Sequence, residues 1–283
     1  MPELPEVEVI AQTLQEQIVG QQIEKVEIRW EGSIDRPAPE EFTRQLEGSR
    51  IVRVERRAKF LVLHLQPARY LLIHLRMSGQ LIVCDRPSED AQPPYYHPHT
   101  RVVIHLASGK LLCFVDQRKF GRMYLVDSPG EKVGKLGPEP LADDFTAEQL
   151  GAILRRHHRQ IKPLLLDQEA LAGLGNIYVD ESLWEARIHP MTRSDALSDE
   201  QVQALYQAIR KVLTRAIQNR GTTFRDYRDS HGEPGGNQLF LNVYDREGKP
   251  CLRCGHAIVR IKVAQRSSYF CPVCQPGPAA QDT

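Results

Sequence analysis

Residues 1–8 read Met1-Pro2-Glu3-Leu4-Pro5-Glu6-Val7-Glu8, and the rest of the chain is organised around them. Leu4, Val7, Ile10 or Ala11, Leu14 and Ile18 recur at helical spacing up to Gly20, which predicts an amphipathic helix beginning almost at the terminus. Prolines suit its first turn, where missing amide hydrogens cost little. Loss of the initiator Met would leave Pro2 with a free secondary amine, a nucleophile when neutral; the reference α-amino pKa is about 7.7 to 8.0. The positive end of the helix dipole disfavours the ammonium form and favours carboxylates such as Glu3 and Glu6. An amine beside an acid suits attack on an electrophilic carbon, with proton transfer to a departing oxygen, through a covalent Schiff base. The plainer reading of the same residues is a helix start whose acids complement its dipole, and the stretch alone leaves both open.

A chain of 283 residues has room for two domains with real cores. No apolar run reaches membrane-spanning length and no basic-then-apolar leader precedes the first helix, so a soluble, intracellular protein without a membrane partner is expected. The net charge of +1 hides segregation. The first sixteen residues carry four acids and no Lys or Arg, whereas Arg246–Arg266 carries six Lys or Arg against one acid. A basic patch of that kind can face nucleic acid although the whole chain is near neutral.

After the first helix, residues 22–126 read as strands. Phe60–Leu65 and Tyr70–Leu75 are joined by a short turn containing Pro67, and Arg101–Leu106 and Leu111–Val115 flank the hairpin signal Ala107-Ser108-Gly109-Lys110. Repeated antiparallel strands without intervening helices predict a β-sandwich. Residues 86–99, with Pro87, Pro93, Pro94 and Pro98, read as a loop. Cys84 and Cys113 lie in apolar, strand-like surroundings and read as inert core thiols. Residues 127–144 turn to Gly and Pro, as a linker does, and beyond them the period becomes helical. Thr146 with Gln149, and Ser198 with Gln201, form capping-box signatures, and Gly221 is placed to end the second of these helices. The polar, Gly-rich stretch 222–242 is too long for a simple connection and reads as a functional loop.

Cys251-Leu252-Arg253-Cys254 and Cys271-Pro272-Val273-Cys274 are paired CxxC units with sixteen residues between them. Each pair can put two thiolates on one ion and the span suits a hairpin, so the four sulfurs predict a closed, tetrahedral structural Zn2+ site. Within the span Val259, Ile261 and Val263 alternate with Arg260 and Lys262, giving a packing face and a basic face. Arg266 falls near the hairpin tip, available to a phosphate or merely solvated.

Eight ordered segments now form a set: MPELPEVE at 1–8, RRAKFLVL at 56–63, HLRMSG at 74–79, FVDQRKFG at 114–121, LGPEPL at 136–141, IKPLLLDQ at 161–168, GLGNIYVDESL at 173–183 and AQRSSYFC at 264–271. Together they closely resemble the bacterial formamidopyrimidine-DNA glycosylase family, over residues 1 to about 275. The resemblance implies an α+β multidomain chain: an N-terminal β-sandwich with a flanking helix, a helix-two-turn-helix domain and a C-terminal β-hairpin zinc finger, with damaged double-stranded DNA bound between them. The corresponding division is a catalytic sandwich at 1–130, a linker at 131–141, a helical domain with the lesion-recognition loop at 142–245, a zinc finger at 246–275 and a tail at 276–283.

The resemblance further implies removal of oxidised purines, chiefly 8-oxoguanine and formamidopyrimidines, and cleavage of the abasic strand by β- and δ-elimination. Pro2 matches the Schiff-base nucleophile, Glu3 a proton donor, Lys59 the proton donor for β-elimination and Arg266 that for δ-elimination. Met77, Arg118 and Phe120 match residues that fill the space left by a flipped nucleotide. Read from the residues alone, Met77 and Phe120 at strand ends are core. His74, His97 and Asn176 match contacts to the DNA backbone; on their own, His74 is a satisfied strand histidine and Asn176 a helix N-cap after Gly175. His157 stands where the family usually has Lys or Arg, and Gln117 and Lys119 also depart from the usual residues around Arg118. The resemblance implies a monomer in the bacterial cytoplasm, associated with the nucleoid. Two other readings stay in view: an endonuclease VIII-like glycosylase for oxidised pyrimidines, and a non-catalytic zinc-containing protein that binds damaged DNA.

Overall fold

The structure, a computed structural model, describes residues 1–86 and 97–277. The Pro-rich loop expected at 86–99 lies outside the described residues except for its ends, and so does the tail beyond Gly277. The elements in order are α1 (Leu4–Ile18), β1 (Ile23–Ile28), β2 (Ile34–Arg36), α2 (Pro39–Leu46), β3 (Arg50–Arg57), β4 (Phe60–Gln66), β5 (Arg69–His74), β6 (Gly79–Asp85), β7 (Thr100–Leu106), β8 (Lys110–Asp116), β9 (Arg122–Val126), α3 (Gly130–Val133), α4 (Ala147–Arg156), α5 (Ile161–Leu166), α6 (Asn176–Glu185), α7 (Asp199–Gln218), β10 (Val259–Val263) and β11 (Arg266–Phe270). No helix among the described residues is long and apolar enough to cross a membrane.

The chain divides into two compact units, Met1–Lys135 with Ile217–Gln238, and Leu136–Ala216 with Leu239–Thr283. The first holds two sheets, ordered β1-β7-β8-β6 and β2-β9-β5-β4-β3. Period-two alternation decides which side chains face inward. Leu61, Leu63 and Leu65 of β4, Leu71 and Ile73 of β5, Val102, Ile104 and Leu106 of β7, and Leu112 and Phe114 of β8 all enter one core. Helix α1 adds Val7, Ile10, Leu14 and Ile18 to that core, the stripe its spacing predicts. It is fixed to β3 by polar contacts as well. Gln15 Oε1 accepts the Val54 N–H at 2.7 Å, and Arg56 Nε donates to Glu8 Oε2 at 2.8 Å.

Two expectations for this region fail. A helix, α2, interrupts the strands; Pro39 opens it, and Phe42 and Leu46, one turn apart, are buried in the sandwich core. With just two apolar anchors it left too weak a periodic signal to be read. The pairing is also not wholly antiparallel, because the three-residue β2 lies parallel to β9.

The second unit is helical up to the hairpin β10–β11. Both capping boxes form: Thr146 with Gln149 opens α4, and Ser198 and Gln201 exchange the corresponding bonds at 3.3 and 3.0 Å before α7. Helix α6 is buried on nearly every side, and Asp180 and Glu181 on it have almost no solvent exposure. Such carboxylates need dedicated donors. Glu181 receives the N–H groups of Asn242, Val243 and Tyr244 at 2.8–3.0 Å together with the Asn242 side-chain amide. Asp180 receives Lys162 Nζ at 2.7 Å, the Ser268 hydroxyl at 3.1 Å and the Tyr269 N–H at 3.0 Å. Burial pushes Asp180 up to about 6, against the pull of Lys162. These two neighbours thus grip the segment leading into the hairpin and the hairpin itself.

Candidate functional site

The first turn of α1 is built by its own acids. Glu3 is the N-cap, and Glu3 and Glu6 form a reciprocal capping box in which Glu6 Oε2 accepts the Glu3 N–H at 2.8 Å. Pro2 and Glu3 are buried while Met1 is exposed. The other oxygen of Glu6 accepts the Thr222 N–H at 2.7 Å, which ties the loop after α7 to this turn. That loop belongs to the first unit. Tyr227 enters the sandwich core and donates its hydroxyl to the Arg220 carbonyl at 3.1 Å; burial pushes its pKa up. Ser230 receives Gln17 Nε2 at 2.6 Å on its hydroxyl and the Val83 N–H at 2.9 Å on its carbonyl. Gly221 adopts φ +80°, and a Cβ on Gly235 would lie 2.2 Å from the Gly221 carbonyl oxygen, so the loop closes only with glycine at both positions. Between these anchors Phe224, Arg225 and Asp226 are exposed, as is His231 beyond Ser230.

Lys59 sits in the two-residue turn between β3 and β4, after Ala58 at φ 53°. It is buried, and its charge reaches His74, the last residue of β5. His74 packs edge-on against Phe60 with ring centroids 4.6 Å apart. Burial pushes its pKa down to about 3, and the Arg76 and Lys59 charges add to the shift. The imidazole is therefore neutral at physiological pH. Because Nδ1 accepts the Arg76 N–H at 3.0 Å, Nε2 carries the proton and is the donor.

Met77, Arg118 and Phe120 share one buried organiser, which the sequence reading missed. Asp116, with no solvent exposure, accepts the Ser78 hydroxyl at 2.6 Å, the Arg118 N–H at 3.2 Å and the Gly121 N–H at 2.7 Å. One carboxylate thus joins the turn before β6 to the turn after β8. Met77 and Phe120 are 43% and 47% exposed, so the core reading of these two residues fails. The Arg118 guanidinium lies 4.9 Å from the Phe120 ring centroid, and Lys119, at φ 60°, puts its ammonium 3.9 Å from the Trp30 ring. His97 is exposed, with Nδ1 accepting the His99 N–H at 3.2 Å, and borders a separate cavity with Cys84.

The remaining expected residues belong to the second unit. Asn176 is the first residue of α6 and Gly175 its N-cap, so the N-cap reading of Asn176 is corrected. Asn176 instead donates Nδ2 to the Ser267 carbonyl at 3.0 Å, and its buried Oδ1 has no hydrogen-bond partner among the described residues. Lys162, also missed, donates to the same carbonyl at 2.7 Å. Nothing in the sequence of segment 161–168 signals that its lysine is buried. Arg266 opens β11 beside the turn Ala264-Gln265 and is exposed, although it pairs with the buried Val263. His157 caps the C-terminal end of α4 and its carbonyl accepts the Ser194 hydroxyl.

The sulfurs of Cys251, Cys254, Cys271 and Cys274 all lie within 4.8 Å of one another, with Cys254–Cys271 at 3.4 Å and Cys251–Cys274 at 3.9 Å. A tetrahedral ion at about 2.3 Å from each sulfur needs S···S separations of about 3.8 Å, so the set fits one structural Zn2+. Although burial raises the Cys251 thiol, the Arg253 and Cys254 N–H groups and the Trp184 indole bring it down to about 6. Trp184 itself stacks under the Arg253 guanidinium at 3.8 Å.

Three family models match the chain: "Formamidopyrimidine-DNA glycosylase N-terminal domain" over residues 1–123, "Formamidopyrimidine-DNA glycosylase H2TH domain" over 136–228 and "Zinc finger found in FPG and IleRS" over 248–277. The formamidopyrimidine-DNA glycosylase of Roseiflexus sp. (strain RS-1) is 48% identical over 278 residues, covering 97% of this chain and 100% of its own. That of Chloroflexus aggregans is 49% identical, covering 97% and 98%. Among solved structures, the Lactococcus lactis Fpg complex with abasic-site DNA superposes with a TM-score of 0.89 at 36% identity, and the Thermus thermophilus MutM (Fpg) protein with 0.85 at 38%; each match covers 98% of this chain and 100% of the other.

Two outcomes are expected. Asp116→Ala takes the acceptor from the Ser78 hydroxyl and the Gly121 N–H, at about 1–3 kcal/mol each, while the Arg118 N–H keeps the Ser78 oxygen, so denaturant melts should show a loss of several kcal/mol and gel-shift titrations weaker binding to duplexes containing an abasic site. Neutral His74 contributes stability that is present above the unfolded pKa of about 6.5 and is lost as pH falls toward the folded value of about 3. Between pH 7 and pH 5 that loss should be about 2 kcal/mol, and His74→Gln should remove it from the melting profile.

Proposed function

The chain belongs to the formamidopyrimidine-DNA glycosylase family, and on that premise we propose that it excises oxidised purines and then cleaves the abasic strand by β,δ-elimination. The observation that carries this reading is the buried Pro2 at a helix start flanked by Glu3, itself fixed by the capping box. With Met1 removed, the Pro2 nitrogen attacks C1′ of the damaged nucleotide and the base departs. Glu3 moves the proton that the ring opening requires, and the product is a Schiff base between the imino acid and deoxyribose. Lys59 then assists β-elimination and Arg266 δ-elimination.

A glycosidic carbon is out of reach while its base is stacked, so the nucleotide must be flipped at a cost of a few kcal/mol. Exposed Met77 and Phe120, with Arg118 lying along the Phe120 ring, supply the apolar wedge and the cation for the vacated space. Neutral His74 offers its Nε2–H to a backbone phosphate. Arg266, Asn176, His157 and His97 contribute further polar contacts to damaged duplex DNA, Asn176 at the start of a helix where the amides favour an anion. The anchored loop at 222–236 closes over the extruded base, with Phe224, Arg225 and His231 as its exposed side chains. The zinc finger holds the Arg266 hairpin in shape. Such an enzyme acts as a monomer in the cytoplasm, at the nucleoid where its substrate lies.

Borohydride trapping on a duplex with 8-oxoguanine opposite cytosine should give a covalent adduct with the unmodified chain and none with Pro2→Gly. An adduct in the variant would remove Pro2 from its role. Strong trapping on oxidised-pyrimidine duplexes alone would favour the endonuclease VIII-like reading, and tight binding with no strand cut would favour a binding module.

A further inference from the structure

Cys84 and Cys113 stand outside the machinery above. Their strands pair antiparallel with Ile82 opposite Cys113 and Cys84 opposite Leu111, so the two thiols are diagonal neighbours on one face. That face is the outer one: Cys113 packs with Val103, Leu111 and Val115 rather than in the sandwich core. The sulfurs are 3.8 Å apart, in van der Waals contact. Cys84 is exposed and Cys113 buried, so the reading of both as inert core thiols fails for Cys84. The pair opens on a cavity of about 250 Å³ that is also lined by His97, Thr100 and Arg228. The contact with Cys113 draws the Cys84 thiol down to about 7, against burial and the Asp85 charge, which raise it. The same contact and burial push Cys113 up. An accessible thiol with thiolate character, touching a second thiol, is the combination that oxidant-reactive pairs require.

We propose that Cys84 and Cys113 are a hydroperoxide-reactive pair that closes to a reversible disulfide. The Cys84 thiolate attacks the terminal oxygen of a hydroperoxide and the O–O bond breaks. Cys84 becomes a sulfenic acid, and the departing alkoxide takes a proton to leave as an alcohol, or as water when the oxidant is hydrogen peroxide. The Cys113 sulfur then attacks the Cys84 sulfur; the S–S bond forms, and the released hydroxide leaves as water with the Cys113 proton. Two thiols lose two electrons and the peroxide gains them. The bond needs about 2.05 Å between sulfurs. Cys84 is the penultimate residue of β6, so a strand end, rather than the middle of the sheet, makes the approach. A small thiol reverses the reaction by exchange.

The test treats the zinc-loaded full chain with one equivalent of hydrogen peroxide, followed by peptide mapping and zinc release. The expected product joins the peptides carrying Cys84 and Cys113 at a mass lower by two hydrogens, reverts with dithiothreitol, and forms with zinc retained. Cys113→Ser should stop the sequence at a Cys84 sulfenic acid that a dimedone probe captures, and Cys84→Ser, at an exposed position, should leave Cys113 reduced. The proposal is overturned if the zinc cysteines oxidise while Cys84 and Cys113 stay reduced. Stable sulfinic acid at Cys84 of the unmodified chain, without the cross-link, overturns it equally.

Discussion

The Glu6 carboxylate is the constraint on which the N-terminal end of the molecule, the proposed catalytic end, depends. One oxygen holds the Glu3 amide and the other the Thr222 amide, 216 residues away in sequence. A buried carboxylate is tolerated where donors surround it, and here those donors are the backbone of the helix start and the backbone of the loop. The position of Pro2 and the course of residues 221–237 are thereby set together. Gly221 makes this approach possible: a Cβ there would meet the Glu6 and Tyr227 side chains at about 3.0 Å. Tyr227 then carries the link into the apolar interior, so the loop rests on the same core as the helix.

The same device recurs. Asp116 gathers the turns that present Met77, Arg118 and Phe120, while Asp180 and Glu181 hold the hairpin and the segment before it. Glu6, Asp116 and Glu181 satisfy amides of irregular backbone, while Asp180 takes one strand amide and two side-chain donors, so each buried carboxylate meets two or more donors. Exposed side chains with chemical work to do can then project from loops that are themselves fixed. This reconciles a 47% exposed Phe120 with a rigid base, because its loop is anchored through Asp116 and Gly121. Lys162, paired with Asp180 and bonded to the Ser267 carbonyl, extends the arrangement to the strand that begins with Arg266. Removing one member of such a buried pair costs about 3–5 kcal/mol, because the other is left charged and unpaired.

What was legible in the sequence had a local signature. The stripe of α1 follows from 3.6-residue spacing, the β4–β5 and β7–β8 hairpins from alternation and turn residues, the caps of α4 and α7 from Thr146/Gln149 and Ser198/Gln201, and the zinc site from two CxxC units. What was missed had none. Helix α2 offers two apolar residues and a proline, and the parallel pairing of β2 with β9 joins residues nearly ninety positions apart. Whether Met77, Phe120 or Cys84 faces the core or the solvent is settled by tertiary packing around a strand end, which composition does not encode. Asp116, Lys162 and Asp180 read as ordinary charged residues because their partners come from distant segments. The segment matches flagged their surroundings without revealing what they hold in place.

In the proposed mechanism these constraints position an imino nitrogen that exists only after Met1 is gone; in the structure Met1 is exposed and Pro2 buried behind it. The most direct test is intact-mass and N-terminal peptide analysis of a fully active preparation, before and after borohydride trapping. The account requires every trapped chain to begin at an unblocked Pro2, with the sugar bonded to its nitrogen. Full activity in chains that retain Met1, or that carry a capped proline, would contradict it.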